Sequence, residues 1–221
     1  AALRGHDVVL CEKAEQLGGT LRFAALVYEP NERLLDWLIG QVRALEVDVR
    51  LGTEVTPALV HEIAPDEILV AAGARRSKPS IPGVDLDHVF DGDDLRSLLT
   101  GQGNAEASKK LSLFGRFAVR AGRAVGMTSS PSALREASKA WMPVGKTVVV
   151  VGGGLVGLEL AEFLAERGRQ VTILEQGPKL GLEMAHPRRW RVLDDLRTLG
   201  VEMIPNARVR TIASDALDYE V

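Results

Sequence analysis

Six consecutive residues, Gly152, Gly153, Gly154, Leu155, Val156 and Gly157, carry the pattern G-x-G-x-x-G. They lie where a β-branched run, residues 147–151, gives way to an apolar pattern of helical period. The chemistry of such a loop is anion binding. Glycine allows a tight turn at Gly152, close approach of a diphosphate at Gly154 and close packing of helix on strand at Gly157. The helix start presents N–H groups without intrahelical partners and the positive end of the helix dipole. Leu155, Leu158, Ala161, Leu164 and Ala165 recur at helical spacing, Gly168 ends the helix, and residues 171–174 form a second strand closing on Glu175. An acid roughly 20 residues past the first glycine accepts hydrogen bonds from ribose hydroxyls. Beside a 2′-phosphate the same charge is repulsive, which favours NAD(H) over NADP(H); Lys179, Arg188, Arg189 and Arg191 oppose that preference. The reading requires the crevice above residues 152–157 to be clear of side chains.

The elements that position this loop belong to a chain of 221 residues with 46% hydrophobic and 26% charged residues and a net charge of −3. That length buries one large core or two modest ones. The charge balance offers no basic surface for nucleic acid. The longest apolar run, residues 148–158, is interrupted by glycine and ended by Glu159, too short to span a bilayer. No secretory signal is visible, and a cytoplasmic location is the expectation. Cys11 is the single cysteine, which removes internal disulfides, four-thiolate zinc and iron–sulfur ligation from this chain. Within VVLCE it reads as a small buried hydrophobe. His6, His61, His88 and His186 are scattered, and no metal is expected.

An internal repeat extends the design. RGHDVVLCEKAEQLGG aligns with RGRQVTILEQGPKLGL, so that Gly5 and Gly168, Glu12 and Glu175, and Gly18 and Gly181 share one constant spacing. VDVRLGTEV (residues 47–55) then matches VEMIPNARV (residues 201–209). Each copy carries a helix between: residues 32–45 with Leu34, Leu35, Leu38, Val42 and Leu45, and residues 187–199 with Trp190, Leu193 and Leu196. The expected fold is α/β, two tandem Rossmann-like three-layer units with parallel sheets, both truncated. The first lacks a strand and glycine loop expected about a dozen residues before Ala1. The second stops before a strand equivalent to DEILVAAG (residues 66–73), so the chain reads as an internal fragment. The expected divisions are a partial first unit at 1–100, a basic helical connection at 101–144 and the second unit at 145–221.

These paired units, the second carrying GGGLVGLELAEFLAERG, resemble the pyridine-nucleotide-linked flavoprotein reductases. The resemblance implies FAD, or ADP alone, in the first unit and NAD(H) in the second. LGGTLRF (residues 17–23) is similar to the segment lining the flavin dinucleotide. VAAGARRSKPSIPG (residues 70–83) is similar to the family's strand-end A-T-G motif, with Ala72 where Thr is common. By position, Glu12 with the adjoining Lys13 would meet the adenosine ribose, and Gly18, Gly19 and Thr20 would lie beside the dinucleotide. The Val55 backbone would be near the adenine, with Ala72 and Gly73 at the strand end. Glu159 matches an acid near the nicotinamide, or else is a helix-surface acid.

With no C-x-x-C or C-x4-C pair, the redox-disulfide branch is not implied. The stretch from residue 18 to residue 55 is more similar to the C-terminal half of the 2,4-dienoyl-CoA reductase, trimethylamine dehydrogenase and histamine dehydrogenase group. There an Old-Yellow-Enzyme-like barrel carrying FMN and an iron–sulfur cluster precedes the two units. The implied partners are a nicotinamide dinucleotide and such a barrel, with hydride passing between NAD(P)H and flavin and catalytic residues outside this chain. A non-catalytic nucleotide-binding domain and a free-standing ferredoxin-reductase-like NADH:acceptor reductase are the alternatives.

Between the units, Lys109, Lys110, Arg116, Arg120, Arg123, Arg135 and Lys139 face only Glu106 and Glu136. Residues 111–127 suit an amphipathic helix, read as docking on a partner domain rather than on a membrane. SSPS marks the start of a helix over residues 133–141.

Overall fold

The computed structural model describes residues 1–74, 78–95, 110, 130–142 and 144–221. The chain forms two compact units, Ala1–Arg76 and Ser77–Val221. The amphipathic segment expected at 111–127 lies outside the described residues. No helix among the described residues is long and apolar enough to cross a membrane.

In the first unit, β1 (Val9–Cys11) is followed by α1 (Gly19–Val27), α2 (Pro30–Ala44), β2 (Asp48–Arg50) and α3 (Pro57–Ile63). β1 and β2 pair in parallel with Leu10 opposite Val49. Parallel strands need a crossover, and α1 and α2 supply it, packed on each other. Pro30 occupies the first turn of α2 and Pro57 that of α3, where a missing N–H is harmless. Thr56 caps α3 by accepting a hydrogen bond from the Leu59 N–H at 3.2 Å. The core here is small: Ala25, Leu26 and Leu35 are buried. Leu34 and Leu38, expected inward, are 46% and 41% exposed, and Cys11 is half-buried rather than enclosed. The strand expected at 66–73 is absent. Leu69 and Val70 are each 86% exposed, because no described strand lies beside this stretch to complete a hydrogen-bond ladder.

The second unit runs α4 (Pro131–Ala140), β3 (Thr147–Val151), α5 (Leu155–Ala165), β4 (Gln170–Leu174), α6 (His186–Thr198), β5 (Glu202–Ile204), β6 (Arg208–Ile212) and β7 (Leu217–Glu220). β3, β4 and β5 form a parallel sheet with β4 in the centre. α5 packs on β3 and β4, and α6 packs on α5. Leu158, Phe163, Leu164, Ile173, Val192 and Leu196 are each under 2% exposed. Burying one such side chain contributes about 1.5–3 kcal/mol, so this cluster is the unit's main support. Phe163 joins the core although the helical pattern pointed to its neighbours. Trp190, expected inward, is 70% exposed; Val192, Leu193 and Leu196 take the inner face of α6 instead. β3 was expected to be buried on both faces, yet Val149 and Val151 are 42% and 45% exposed while Val150 is buried. Helices cover one face of β3 among the described residues, and alternation sends those two valines to the other.

β6 and β7, not anticipated, form an antiparallel hairpin with an irregularity between Val209 and Thr211. The Ile212 N–H donates to the Pro82 carbonyl at 2.9 Å, and a Cβ on Gly83 would strike the Ile212 carbonyl. The proline–glycine turn at 81–83 is thereby tied to the second unit, so the compact units divide upstream of residue 100.

The repeat holds at the level of individual hydrogen bonds. The pairs Val9–Asp48, Leu10–Val49 and Cys11–Arg50 correspond to Thr172–Glu202, Ile173–Met203 and Leu174–Ile204. Glu12 donates its N–H to the Arg50 carbonyl as Glu175 does to that of Ile204, both at 2.9 Å. Gly52 donates to Ala14 as Asn206 donates to Gly177, and both donors have left-handed backbone, φ 62° and 56°. One turn geometry has been used twice.

α4 begins as expected, with Ser130 as its cap. Its attachment to α5 depends on Arg167, whose side chain is 2% exposed. Arg167 donates from Nε to Ser138 Oγ at 2.7 Å and from Nη1 to the Phe163 carbonyl at 2.8 Å, and its guanidinium lies 3.5 Å from the Phe163 ring centroid. Arg167→Ala should strip Ser138 and the Phe163 carbonyl of a buried donor and cost about 2–4 kcal/mol in urea unfolding. Lys139→Ala, which removes only an exposed pair with Glu136, should leave the midpoint unchanged.

Candidate functional site

The loop at 152–157 follows directly from β3. Gly152 turns the chain with φ 106° while its N–H still donates to the Leu174 carbonyl at 2.8 Å, the last rung between β3 and β4. Gly154 is the N-cap of α5 and its carbonyl accepts from the Leu158 N–H at 2.9 Å. A Cβ on Gly157 would fall on the Gly152 carbonyl and lie 3.5 Å from Val150 Cγ1. The first turn of α5 therefore closes against β3 with no room for any side chain at this point. The tasks expected of Gly152 and Gly157, a tight turn and close packing, are visible as geometry.

Glu175, at the end of β4, reaches across to the loop. Its Oε2 accepts from the Gly153 N–H at 2.7 Å, and its Oε1 from the Gly177 N–H at 2.6 Å. Two backbone donors thus fix a half-buried carboxylate beside the glycines. Glu159 is drawn elsewhere: it pairs with Arg188 of α6 at 3.1 Å, with side chains 18% and 24% exposed. One turn further on, burial pushes the Glu162 carboxyl up, Arg188 opposing and Glu166, Asp195 and Glu159 adding to the shift.

The crevice above the glycines is not clear. Residues 180–184, after β4, lie over it: the Gly181 N–H donates to the Gly153 carbonyl at 2.7 Å, and Leu180 covers Gly153, whose added Cβ would be 2.8 Å from Leu180 Cγ. Glu183 Oε1 accepts the Leu155 N–H at the start of α5 and fills the space a Cβ on Gly154 would need. Its own backbone N–H and that of Leu155 hold the Glu183 carboxyl below the usual carboxylate range. What fills the crevice is an anion, on a donor that a diphosphate would use. The donor set therefore fits an anionic ligand, and Glu183 occupies that role in this structure. Sequence reading missed Glu183. The signal was present, since Glu183 stands in the repeat where Thr20 stands in the first copy.

In the first unit, Glu12 repeats one contact of Glu175: its Oε1 accepts from the Ala14 N–H at 2.8 Å, as that of Glu175 does from the Gly177 N–H. Lys13, Gly19 and Thr20 are exposed. Gly18 caps α1 with φ 115°, and a Cβ there would come 2.5 Å from Leu35 Cδ1, so this glycine lets α2 approach the loop. The loop is pinned by Arg22, whose Nε donates to the Leu17 carbonyl at 2.6 Å. Glu12, Gly18, Gly19 and Thr20 border one loop. Val55 is 54% exposed, outside any strand, and Ala72 and Gly73 are exposed in the stretch where the expected strand is absent.

Gly157→Ala should lower stability by about 2 kcal/mol or more, because the clash is with backbone that cannot rotate away. Gly145→Ala, whose Cβ would meet nothing closer than 3.9 Å, serves as the control and should stay within about 0.5 kcal/mol of the parent. Equal losses in the two variants, measured by thermal or urea unfolding, would remove the close-packing role of Gly157.

Comparison with known proteins agrees with this geometry. A bilirubin reductase of Mediterraneibacter gnavus (strain CC55_001C) is 29% identical over 222 residues, which is 100% of this chain and 28% of the relative. An NADH oxidase of Thermoanaerobacter brockii is 28% identical over 98% of this chain and 27% of its own length. The chain thus spans a little over a quarter of the curated relatives it matches. Among solved structures, a 2-naphthoyl-CoA reductase complex superposes with a TM-score of 0.74 at 23% identity, covering 99% of this chain and 27% of that one. Histamine dehydrogenase from Rhizobium sp. 4-9 superposes with a TM-score of 0.64 at 18% identity, over 99% and 28%. These likenesses share the fold. The family model for pyridine nucleotide-disulphide oxidoreductases matches residues 35–221, and the chain belongs to that family.

Proposed function

We propose that this chain is the dinucleotide-binding module of a flavin-dependent NAD(P)H oxidoreductase, with NAD(H) at residues 152–157 and FAD, or ADP alone, in the first unit. The observation that carries the reading is the joined pair of features at the end of β4 and the start of α5. A carboxylate, Glu175, is fixed on the Gly153 N–H beside a helix terminus whose Leu155 N–H already holds an anion. A dinucleotide needs an acceptor for ribose hydroxyls and donors for its diphosphate.

On this reading the backbone of Gly152, Gly153, Gly154, Leu155, Val156 and Gly157 holds the diphosphate and Glu175 the ribose. When bound, the nicotinamide supplies hydride chemistry, and the protein supplies position and electrostatics. Glu175 excludes a 2′-phosphate by like charge, favouring NAD(H). Gly157 keeps the first turn of α5 against β3, so that its N–H groups point at one place. Glu159 serves helix packing through Arg188. In the first unit Glu12 and Lys13 would serve the adenosine ribose, with Gly18, Gly19 and Thr20 beside the dinucleotide. Val55, Ala72 and Gly73 complete that site. The duplicated hydrogen bonds about Glu12 and Glu175 support this assignment. The functional divisions proposed remain 1–100, 101–144 and 145–221. An Old-Yellow-Enzyme-like barrel with FMN and an iron–sulfur cluster is the proposed partner domain, in keeping with relatives more than three times the chain's length.

The test uses the intact protein, purified without added cofactor. Bound FAD that NADH bleaches anaerobically, faster than NADPH does, is the expected result. ADP without reducible flavin would leave only a structural nucleotide-binding role. Glu175→Ala should weaken NADH binding about tenfold, equivalent to one good charged hydrogen bond, and narrow the preference over NADPH. An unchanged preference in that variant would remove Glu175 from the ribose site.

A further inference from the structure

We propose that Glu183 is a resident counter-anion of the second unit, which the incoming dinucleotide diphosphate must displace and which retakes the helix start when the nucleotide leaves. This inference rests on residues 152–157 being the NAD(H) diphosphate site, and it assigns to a residue outside the motif control over how tightly that site holds its ligand.

Three observations carry it. Glu183 Oε1 accepts the Leu155 N–H, in the space left vacant by the missing side chain of Gly154, the glycine whose absent Cβ would otherwise admit a phosphate. The strap presenting Glu183 is anchored independently of that carboxylate. Gly181 donates to the Gly153 carbonyl, Arg189 Nε of α6 donates to the Leu180 carbonyl at 2.8 Å, and the Met184 N–H closes a turn on the Gly181 carbonyl at 3.1 Å. Glu183 itself is exposed. Rotation of one side chain about its own bonds therefore frees the Leu155 N–H and the space beside Gly154 while the strap, with Leu180 over Gly153, stays in place. The repeat supplies the third observation. Where the second copy has Glu183, in a turn ahead of α6, the first has the uncharged Thr20, in the opening turn of α1.

The physical consequence is competition for the same donors. A carboxylate on the helix N-terminus satisfies the Leu155 N–H and the dipole, so a diphosphate gains only the difference between its own interaction and that of Glu183. It also meets the repulsion of the displaced carboxylate, which stays tethered nearby. Both effects lower affinity, and the return of Glu183 to its donor assists release. The second unit would then treat its nucleotide as a substrate that exchanges at each turnover, while the first, with threonine at this place, has no such competitor.

The experiment compares the intact protein with Glu183→Thr, the first copy's residue, and Glu183→Gln, which keeps the shape without the charge. NADH and inorganic pyrophosphate are titrated, and NADH dissociation is followed by stopped flow. Both variants should bind both ligands about 3- to 10-fold more tightly, the scale of one anion at a helix terminus, with the gain mainly in slower NADH release. Unchanged or weaker binding of both probes overturns the proposal. Tighter pyrophosphate binding with no NADH binding in any protein, parent included, sustains the displaced anion and overturns the dinucleotide reading instead.

Discussion

A helix that starts directly from a parallel strand leaves its first N–H groups aimed at one point, and something negative must meet them. In this chain the contact that creates the condition is Gly157 against the Gly152 carbonyl, where no Cβ fits. That closeness keeps α5 on β3 and sets the direction of its opening turn. The rest of the second unit is arranged around it. β4 pairs with β3 through the Gly152 N–H, and Glu175 at its end is carried to the Gly153 N–H. α6 holds the strap of residues 180–184 through Arg189. Each element brings either a donor or an anion to the same few ångströms.

The duplication explains why the first unit can be understood from the second. Two stretches with modest likeness in sequence reproduce the same strand register, the same left-handed position after β2 and β5, and the same closed turn about an acid. Such a turn is determined by backbone hydrogen bonds and by φ, so side chains may diverge without disturbing it. Divergence then falls on the side chains. Lys13 against Gln176 is a difference of charge on a common frame, and Thr20 against Glu183 is one at aligned positions of the sequence. A family that uses one frame for two nucleotides needs such differences to tell them apart.

The attachment of α4 to α5 within the second unit is held by different physics. Arg167 is a buried cation satisfied by a hydroxyl, a carbonyl and an aromatic face rather than by a buried carboxylate. Its ion pair with Glu166 lies toward solvent, where the partner is 54% exposed. The strength of this joint therefore rests on the hydrogen bonds made inside, since taking a charge out of water is unfavourable unless every donor is used. Lys110 differs in that it pairs with a buried carboxylate, donating to Asp94 and to the Val89 carbonyl, each at 2.6 Å.

The α/β class, the repeat, the strand at 147–151, the acid at 175 and the glycine turns were readable from the sequence because each depends on short-range chemistry. β-branching, helical period and the absence of a Cβ act on a residue's immediate neighbours. Misreadings arose where a distant partner decides. Residues 66–73 have the composition of a strand, but a strand exists only through its ladder, and none forms beside them among the described residues. Trp190 has the spacing of a core residue, yet the face of α6 that meets α5 is centred on Val192 and Leu196. Val149 and Val151 look buried until the helices are found on one side of β3. Glu183 was an unremarked acid in a loop until folding brought it onto the start of α5, 28 residues earlier in the chain. Local stereochemistry settled which segments turn, coil or extend; which groups meet across those segments was settled only by packing in three dimensions, because burial and electrostatic pairing belong to the assembled fold.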